Sequence, residues 1–267
     1  MRAKSKKIIF LILLCNALLV SSATSELDKK IGQVAPPPKS IQTDIFYKKY
    51  VDANGLPVLS SEKVSDQALL EAAKLINQML ADRSDIRKAL IDKDVGIGVM
   101  APTEVSTDIP EHSHLRPKEY WARRARGLGG RVTTCGEENL LGLPGDPYFN
   151  ENILIHEFSH CIHEQRGKDI EKNFDSKLQQ LYEKAVTKGL WKDTYAGSNH
   201  SEYWAEGVQS FFDANKIILP EERQVNTREE LIAYDPELAN LVSEVFHKTS
   251  WLYRKPENRK QGYKGGG

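Results

Sequence analysis

Asn150-Glu151-Asn152-Ile153-Leu154-Ile155-His156-Glu157-Phe158-Ser159-His160-Cys161-Ile162-His163 is the stretch on which the reading of this chain turns. It reads as a helix that starts at Asn150, a good N-cap, and stops near Gly167. On a helix, His156 and His160 lie one turn apart on the same face. Two imidazoles so placed can reach a single zinc ion. Glu157, between them in H-E-x-x-H, stands beside that ion to act on a water it holds.

A catalytic zinc takes three protein ligands and keeps one position open. The extended pattern H-E-x-x-H-x-x-G-x-x-H does not supply the third ligand, because His163 sits at its glycine and Arg166 at its last position. Ligation by His163 itself needs a distorted helix, so His163 reads as helical and exposed. A later helix, opening near Ser198 or Asn199, offers Glu202 and Glu206 at i and i+4. These carboxylates share a face among Tyr203, Trp204, Ala205, Val208, Phe211 and Phe212, a setting in which a carboxylate needs a cation or hydrogen bonds. One of the two is expected to bind the metal, and the other to hydrogen-bond a ligand imidazole from behind.

His156-Glu157-x-x-His160, followed by Tyr195 and then by Glu202, Tyr203, Trp204, Ala205 and Glu206, resembles the catalytic domain of anthrax lethal factor and its relatives, a family of gluzincin peptidases. The resemblance covers roughly residues 146–214. It implies a zincin-like α+β fold, predominantly helical, with a small mixed sheet and an active-site helix carrying H-E-x-x-H. It implies one Zn2+ per chain, held by His156, His160 and Glu202. Glu157 becomes the general base, Tyr195 the phenol that steadies the oxyanion, and Glu206 a supporting residue behind the ligands. The implied activity is hydrolysis of peptide bonds by a Glu-activated, zinc-bound water, with a peptide or protein as substrate. Two alternatives stay open: a catalytically silent, zinc-stabilised binding module, and a zinc hydrolase acting on a non-protein amide. This chain has its own leader-like start and shows no receptor or translocation segment, so nothing about toxin delivery carries over.

That start is Arg2, Lys4, Lys6 and Lys7, an apolar run from Ile8 to Val20, and Ser21-Ser22-Ala23. The run is too short to span a bilayer, which needs ~20 residues, and reads as a signal peptide over 1–23. Secretion, or export to a periplasm, is expected, with no stable membrane association afterwards. Removing four of the 37 basic residues leaves 33 against 37 acidic ones, a net charge of −4. That balance argues against a nucleic-acid partner. Cys135 and Cys161 are then an even pair in an oxidising compartment and are expected to form a disulfide onto the motif helix; the alternative is two buried thiols.

Residues 24–40, with Pro36-Pro37-Pro38, read as a linker, residues 41–254 as one metallopeptidase domain, expected to be monomeric, and 255–267 as a flexible tail. Within the domain, two short strands flank Asp52-Ala53-Asn54-Gly55. A single helix is expected from Ser65 to about Ile91, and a strand over Val95–Met100 whose edge could pair with a peptide. The basic, glycine-containing stretch 116–131 reads as a surface loop near the cleft. Helices are expected over about 169–188 and 198–215. Thr227-Arg228-Glu229-Glu230 is a capping-box pattern, and Asp235-Pro236 opens a last helix.

Overall fold

The computed structural model describes residues 32–169, 172–216 and 225–256. The expected signal peptide lies outside these residues, as does all of the tail beyond 256. Residues 32–40 of the expected linker are described, and Ala35 forms a bridge with Tyr50.

Asn54 and Gly55 both take positive φ, 55° and 93°, and close a two-residue hairpin between β1 (Lys49–Ala53) and β2 (Leu56–Ser60). Such turns match the right-handed twist of the paired strands and favour Asn-Gly. β2 then pairs in parallel with β3 (Gly96–Met100), and β3 in parallel with β4 (Val132–Gly136), giving a mixed sheet in the order β1-β2-β3-β4. Every residue of β3 and β4 is buried, as expected of strands covered on both faces. β3 is paired on both sides, so the peptide-binding edge expected of it does not exist.

The crossover from β2 to β3 is made by two helices, α1 (Asp66–Met79) and α2 (Ser84–Ile91), where one long helix was expected. The break falls at Leu80–Arg83. Arg83 is buried there, donating to the Val245 carbonyl and pairing with Asp85 at 2.6 Å. The kink lets Leu80, Ile86 and Leu90 all enter the core. The basic stretch after β3 holds a short helix, α3 (Lys118–Arg124), and β4 leads into another, α4 (Glu137–Leu141).

The motif helix is α5 (Ile153–Asp169), packed on β4. Its cap is Asn152 rather than Asn150: Asn152 Oδ1 accepts from the Ile155 N–H at 2.9 Å. The helices that follow are α6 (Phe174–Thr187), α7 (His200–Phe211), α8 (Arg228–Tyr234) and α9 (Pro236–Val245). Asn199 caps α7 through the Ser201 and Glu202 N–H groups, Thr227 and Glu230 form the expected capping box, and Asp235 caps α9. Trp204 fixes α7 against α5: its indole donates to the Ser159 carbonyl at 2.8 Å while its ring meets Phe174 edge-on and stacks on Phe246. The chain thus has the expected α+β character, with a small mixed sheet beneath helices.

The expected disulfide is not formed. Cys135 and Cys161 are free, buried thiols. Cys161 on α5 hydrogen-bonds to Thr133, which precedes Cys135 by two residues on the same face of β4. That offset is one pleat repeat, about 6.6 Å, too far for the two sulfurs to meet. Burial pushes the Cys161 thiol up to about 12 and that of Cys135 higher still, so neither is a reactive thiolate.

Candidate metal centre

α5 and α7 present their polar faces to each other across a cleft of about 600 Å³. His156 Nε2 lies 3.2 Å from Glu202 Oε2 and 3.2 Å from His160 Nε2, and His160 Nε2 lies 3.3 Å from the same carboxylate oxygen. The three atoms therefore form a nearly equilateral triangle. Tetrahedral zinc ligands at about 2.0–2.1 Å from the ion stand about 3.3–3.4 Å apart, so this donor set fits zinc and leaves a fourth position facing the cleft. Two imidazole nitrogens facing each other at 3.2 Å can share one proton or one cation.

Each ring is held from behind. His156 Nδ1 donates to Gln209 Oε1 at 2.8 Å, and His160 Nδ1 meets Ser201 Oγ at 3.0 Å. These contacts aim both Nε2 atoms at Glu202. The hydrogen bond expected from Glu206 is thus made by Gln209. Glu206 Oε1 stands 3.7 Å from His156 Nδ1, and its Oε2 accepts from Asn215. Gln209 in turn donates to Glu151 Oε2 and to the Asn152 carbonyl, tying α7 to the start of α5.

The local field favours positive charge. Burial works against charging His156, but the Glu202 hydrogen bond and the carboxylates of Glu157 and Glu206 outweigh it and push its pKa up to about 9. Burial likewise works to raise Glu202, yet hydrogen bonds from His156 and His160 hold it well below the usual carboxylate range. A pocket that charges a buried histidine in this way is suited to a divalent cation.

Glu157 sits beside the triangle. Burial raises its pKa, opposed by His156, by His160 and by a hydrogen bond from the Gly129 N–H. Gly129 belongs to the segment expected to be a surface loop. It is a loop beside the cleft, as expected, with one isolated bridge from Leu128 to Thr134 of β4, and it forms the cleft wall. A side chain at Gly127 would run into Ile153 Cγ2, would lie 2.9 Å from the Thr134 carbonyl and would reach Glu157 Cγ at 3.0 Å. Only glycine lets this wall close on the helix. Arg126 anchors it, with Nε 2.5 Å from Glu138 Oε1 and Nη2 donating to the Ala101 carbonyl.

Tyr195 also lines the cleft beside the triangle. Its ring stacks near His156 at 6.2 Å, its hydroxyl bonds to Glu202, and Lys216 Nζ lies 5.5 Å above the ring. Burial, the Glu202 charge and that hydrogen bond raise its pKa to about 12, so it is a hydrogen-bond donor at any neutral pH.

The structure brings His156, Glu157, His160, Tyr195, Glu202 and Glu206 to one cleft. Cys135 and Cys161 are absent from its lining. The sequence reading missed Gln209 and Ser201, although Gln209 follows Glu202 by seven residues and so shares its helix face. His163, expected to be exposed, is buried against Phe174.

No protein-family model matches this sequence, and no curated protein matches it. Among solved structures, the Pro-Pro endopeptidase PPEP-2 from Paenibacillus alvei aligns with a TM-score of 0.48 and 19% identity, over 70% of this chain and 96% of that chain. A likeness at that level assigns neither family nor substrate. The resemblance to lethal-factor-type gluzincins therefore rests on the motif residues, and the chemistry rests on the arrangement of His156, His160, Glu202, Glu157 and Tyr195.

Proposed function

We propose that this chain is a secreted zinc-dependent endopeptidase. The observation that carries the reading is the triangle of His156, His160 and Glu202, 3.2–3.3 Å on a side, with Glu157 and Tyr195 in the same cleft. Zinc held there supplies Lewis-acid polarisation of a carbonyl and acidifies a water toward about pH 7.

The chain's own residues account for the remaining chemistry. Glu157 takes a proton from the attacking water and delivers it to the leaving amine nitrogen. Its burial favours that role, because a carboxylate raised toward neutrality accepts and returns a proton more readily. The Gly129 N–H fixes which way the carboxylate turns. The Tyr195 phenol, kept protonated, donates to the carbonyl oxygen as negative charge builds on it. For this the hydroxyl leaves Glu202, a rotation open to a half-exposed side chain. The Gly127–Gly129 wall, held close to α5, bounds one side of the cleft through which a substrate would approach.

Export is part of the proposal and rests on the N-terminal pattern of residues 1–23. Mature protein recovered from the medium or periplasm should begin at Thr24, and a start at Met1 would remove this part. The catalytic reading is tested by Glu157→Gln, which should retain zinc and lose cleavage of a diverse peptide library. Cleavage of a non-peptide amide in place of peptides would shift the substrate class. Zinc binding with no hydrolysis would leave a binding module.

A further inference from the structure

A second cluster of metal-type donors stands further along the same face of α5, about one turn beyond His160. His163 of α5 and His200, the first residue of α7, both place Nε2 on the same atom, Oδ1 of Asp175 in the first turn of α6, at 2.9 and 3.0 Å. All three donor atoms lie within 4.8 Å of one another. The imidazoles meet edge to face with centroids 5.7 Å apart. His163 is buried at 7% exposure, and its Nδ1 is a buried atom with no hydrogen-bond partner. Its one polar attachment among the described residues is therefore the Asp175 contact. Asp175 and His200 reach solvent, so an ion has a way in.

We propose that His163, Asp175 and His200 form a second divalent-metal site, distinct from the His156–His160–Glu202 centre. Two imidazoles and one carboxylate suit zinc and its transition-metal neighbours rather than calcium or magnesium. The 2.9–3.0 Å contacts are hydrogen bonds in the metal-free chain, and a few tenths of an ångström of opening brings the three atoms to the spacing of ligands around one ion, which displaces the two Nε2 protons now pointing at Oδ1. A buried imidazole, drawn from a different helix than its two partners and lacking other polar contacts, is a poor structural choice unless Nε2 has a further use.

The second site is the weaker of the two. The imidazoles of the first have Gln209 and Ser201 behind them, whereas His163 Nδ1 has nothing. Loss of such a partner lowers metal affinity roughly 10–100-fold. The two sites also share helices. His163 follows His160 by three residues, His200 precedes Glu202 by two, and Ser201 between them holds His160. Occupancy of the second site therefore pins the start of α7 to α5 and α6, and steadies the carboxylate of the first.

The test is zinc stoichiometry on the full mature chain, stripped and then titrated against a chromophoric chelator, with bound metal counted by elemental analysis. Wild type should take two equivalents in two steps separated roughly 10–100-fold. Asp175→Asn, at a surface-exposed position and with folding checked by circular dichroism and a urea melt, and His200→Ala should each lose the weaker step and keep the tighter one. His156→Ala should do the reverse. One equivalent in wild type, lost in His156→Ala and kept in Asp175→Asn, overturns the second site and leaves the peptidase reading standing. A single equivalent that persists in His156→Ala and disappears in Asp175→Asn overturns the peptidase reading instead.

Discussion

Replacing Gln209 with leucine removes the hydrogen bond behind His156 while nearly preserving the buried volume. In the native chain Gln209 Oε1 accepts from His156 Nδ1 at 2.8 Å. When His156 Nε2 ligates a metal, the ring proton must sit on Nδ1, and with leucine it would point at hydrocarbon. A buried donor left unpaired costs about 1–3 kcal/mol. The metal-free ring, charged at neutral pH in the native chain, can shed its Nδ1 proton in the variant and keep the Nε2 proton on Glu202, so the metal-bound state bears the larger share of the penalty and about 1–3 kcal/mol is its ceiling. At about 1.4 kcal/mol per tenfold, zinc affinity should fall by at most roughly 5- to 150-fold. The assay is competitive zinc titration, run beside urea unfolding to separate affinity from the cost of orphaning Glu151 and the Asn152 carbonyl. Glu206→Gln is the contrast: at 3.7 Å from Nδ1 it makes no hydrogen bond there, and its loss of affinity should be the smaller. Unchanged zinc binding in Gln209→Leu, with a tenfold or greater loss in Glu206→Gln, would refute this account of how His156 is oriented.

Three further outcomes follow from the same geometry. Tyr195→Phe should keep zinc and lower kcat about 10²–10³-fold with little change in KM, because the phenol acts on charge that appears only in the transition state. Gly127→Ala should destabilise by about 1–3 kcal/mol in urea melts and depress activity further than the stability loss explains, since the new methyl presses on Glu157 as well as Ile153. Asp85, held at about 2 by its hydrogen bond to Arg83, contributes stability that is complete above its unfolded pKa of about 3.9 and lost as pH falls toward 2. Asp85 is half-exposed, so Asp85→Asn should cost no more than about 1 kcal/mol at pH 6, and the gap to wild type should narrow steadily as pH falls from about 4 to 2.

Features decided locally were legible in the sequence. The spacing of His156 and His160, and of Glu202 and Glu206, fixes helix faces regardless of the rest of the chain. The Asn54-Gly55 turn and the caps at Asn199, Thr227 and Asp235 are equally short-range. What escaped the sequence depends on distant contacts. The break between α1 and α2 is set by Arg83 reaching Val245, 162 positions away. The missing disulfide turns on a two-residue register between β4 and α5, which even cysteine counting does not encode. The segment around Gly127–Gly129 is a loop near the cleft as expected, and what escaped was how closely Gly127 meets Ile153 and Glu157 of α5. His163 looked exposed because its helix was judged without α6, whose Phe174 and Asp175 cover it.

The central claim is that His156, His160 and Glu202 hold zinc while Glu157 moves the proton of peptide hydrolysis. The direct measurement is cleavage of a diverse peptide library by zinc-loaded mature protein, with Glu157→Gln in parallel and zinc counted in both. The account predicts zinc at the His156–His160–Glu202 centre in both proteins, cleavage by the wild type, and a loss of about 10²–10⁴-fold or more in the variant. Equal cleavage by both, or zinc-loaded wild type that cuts no peptide, would contradict it.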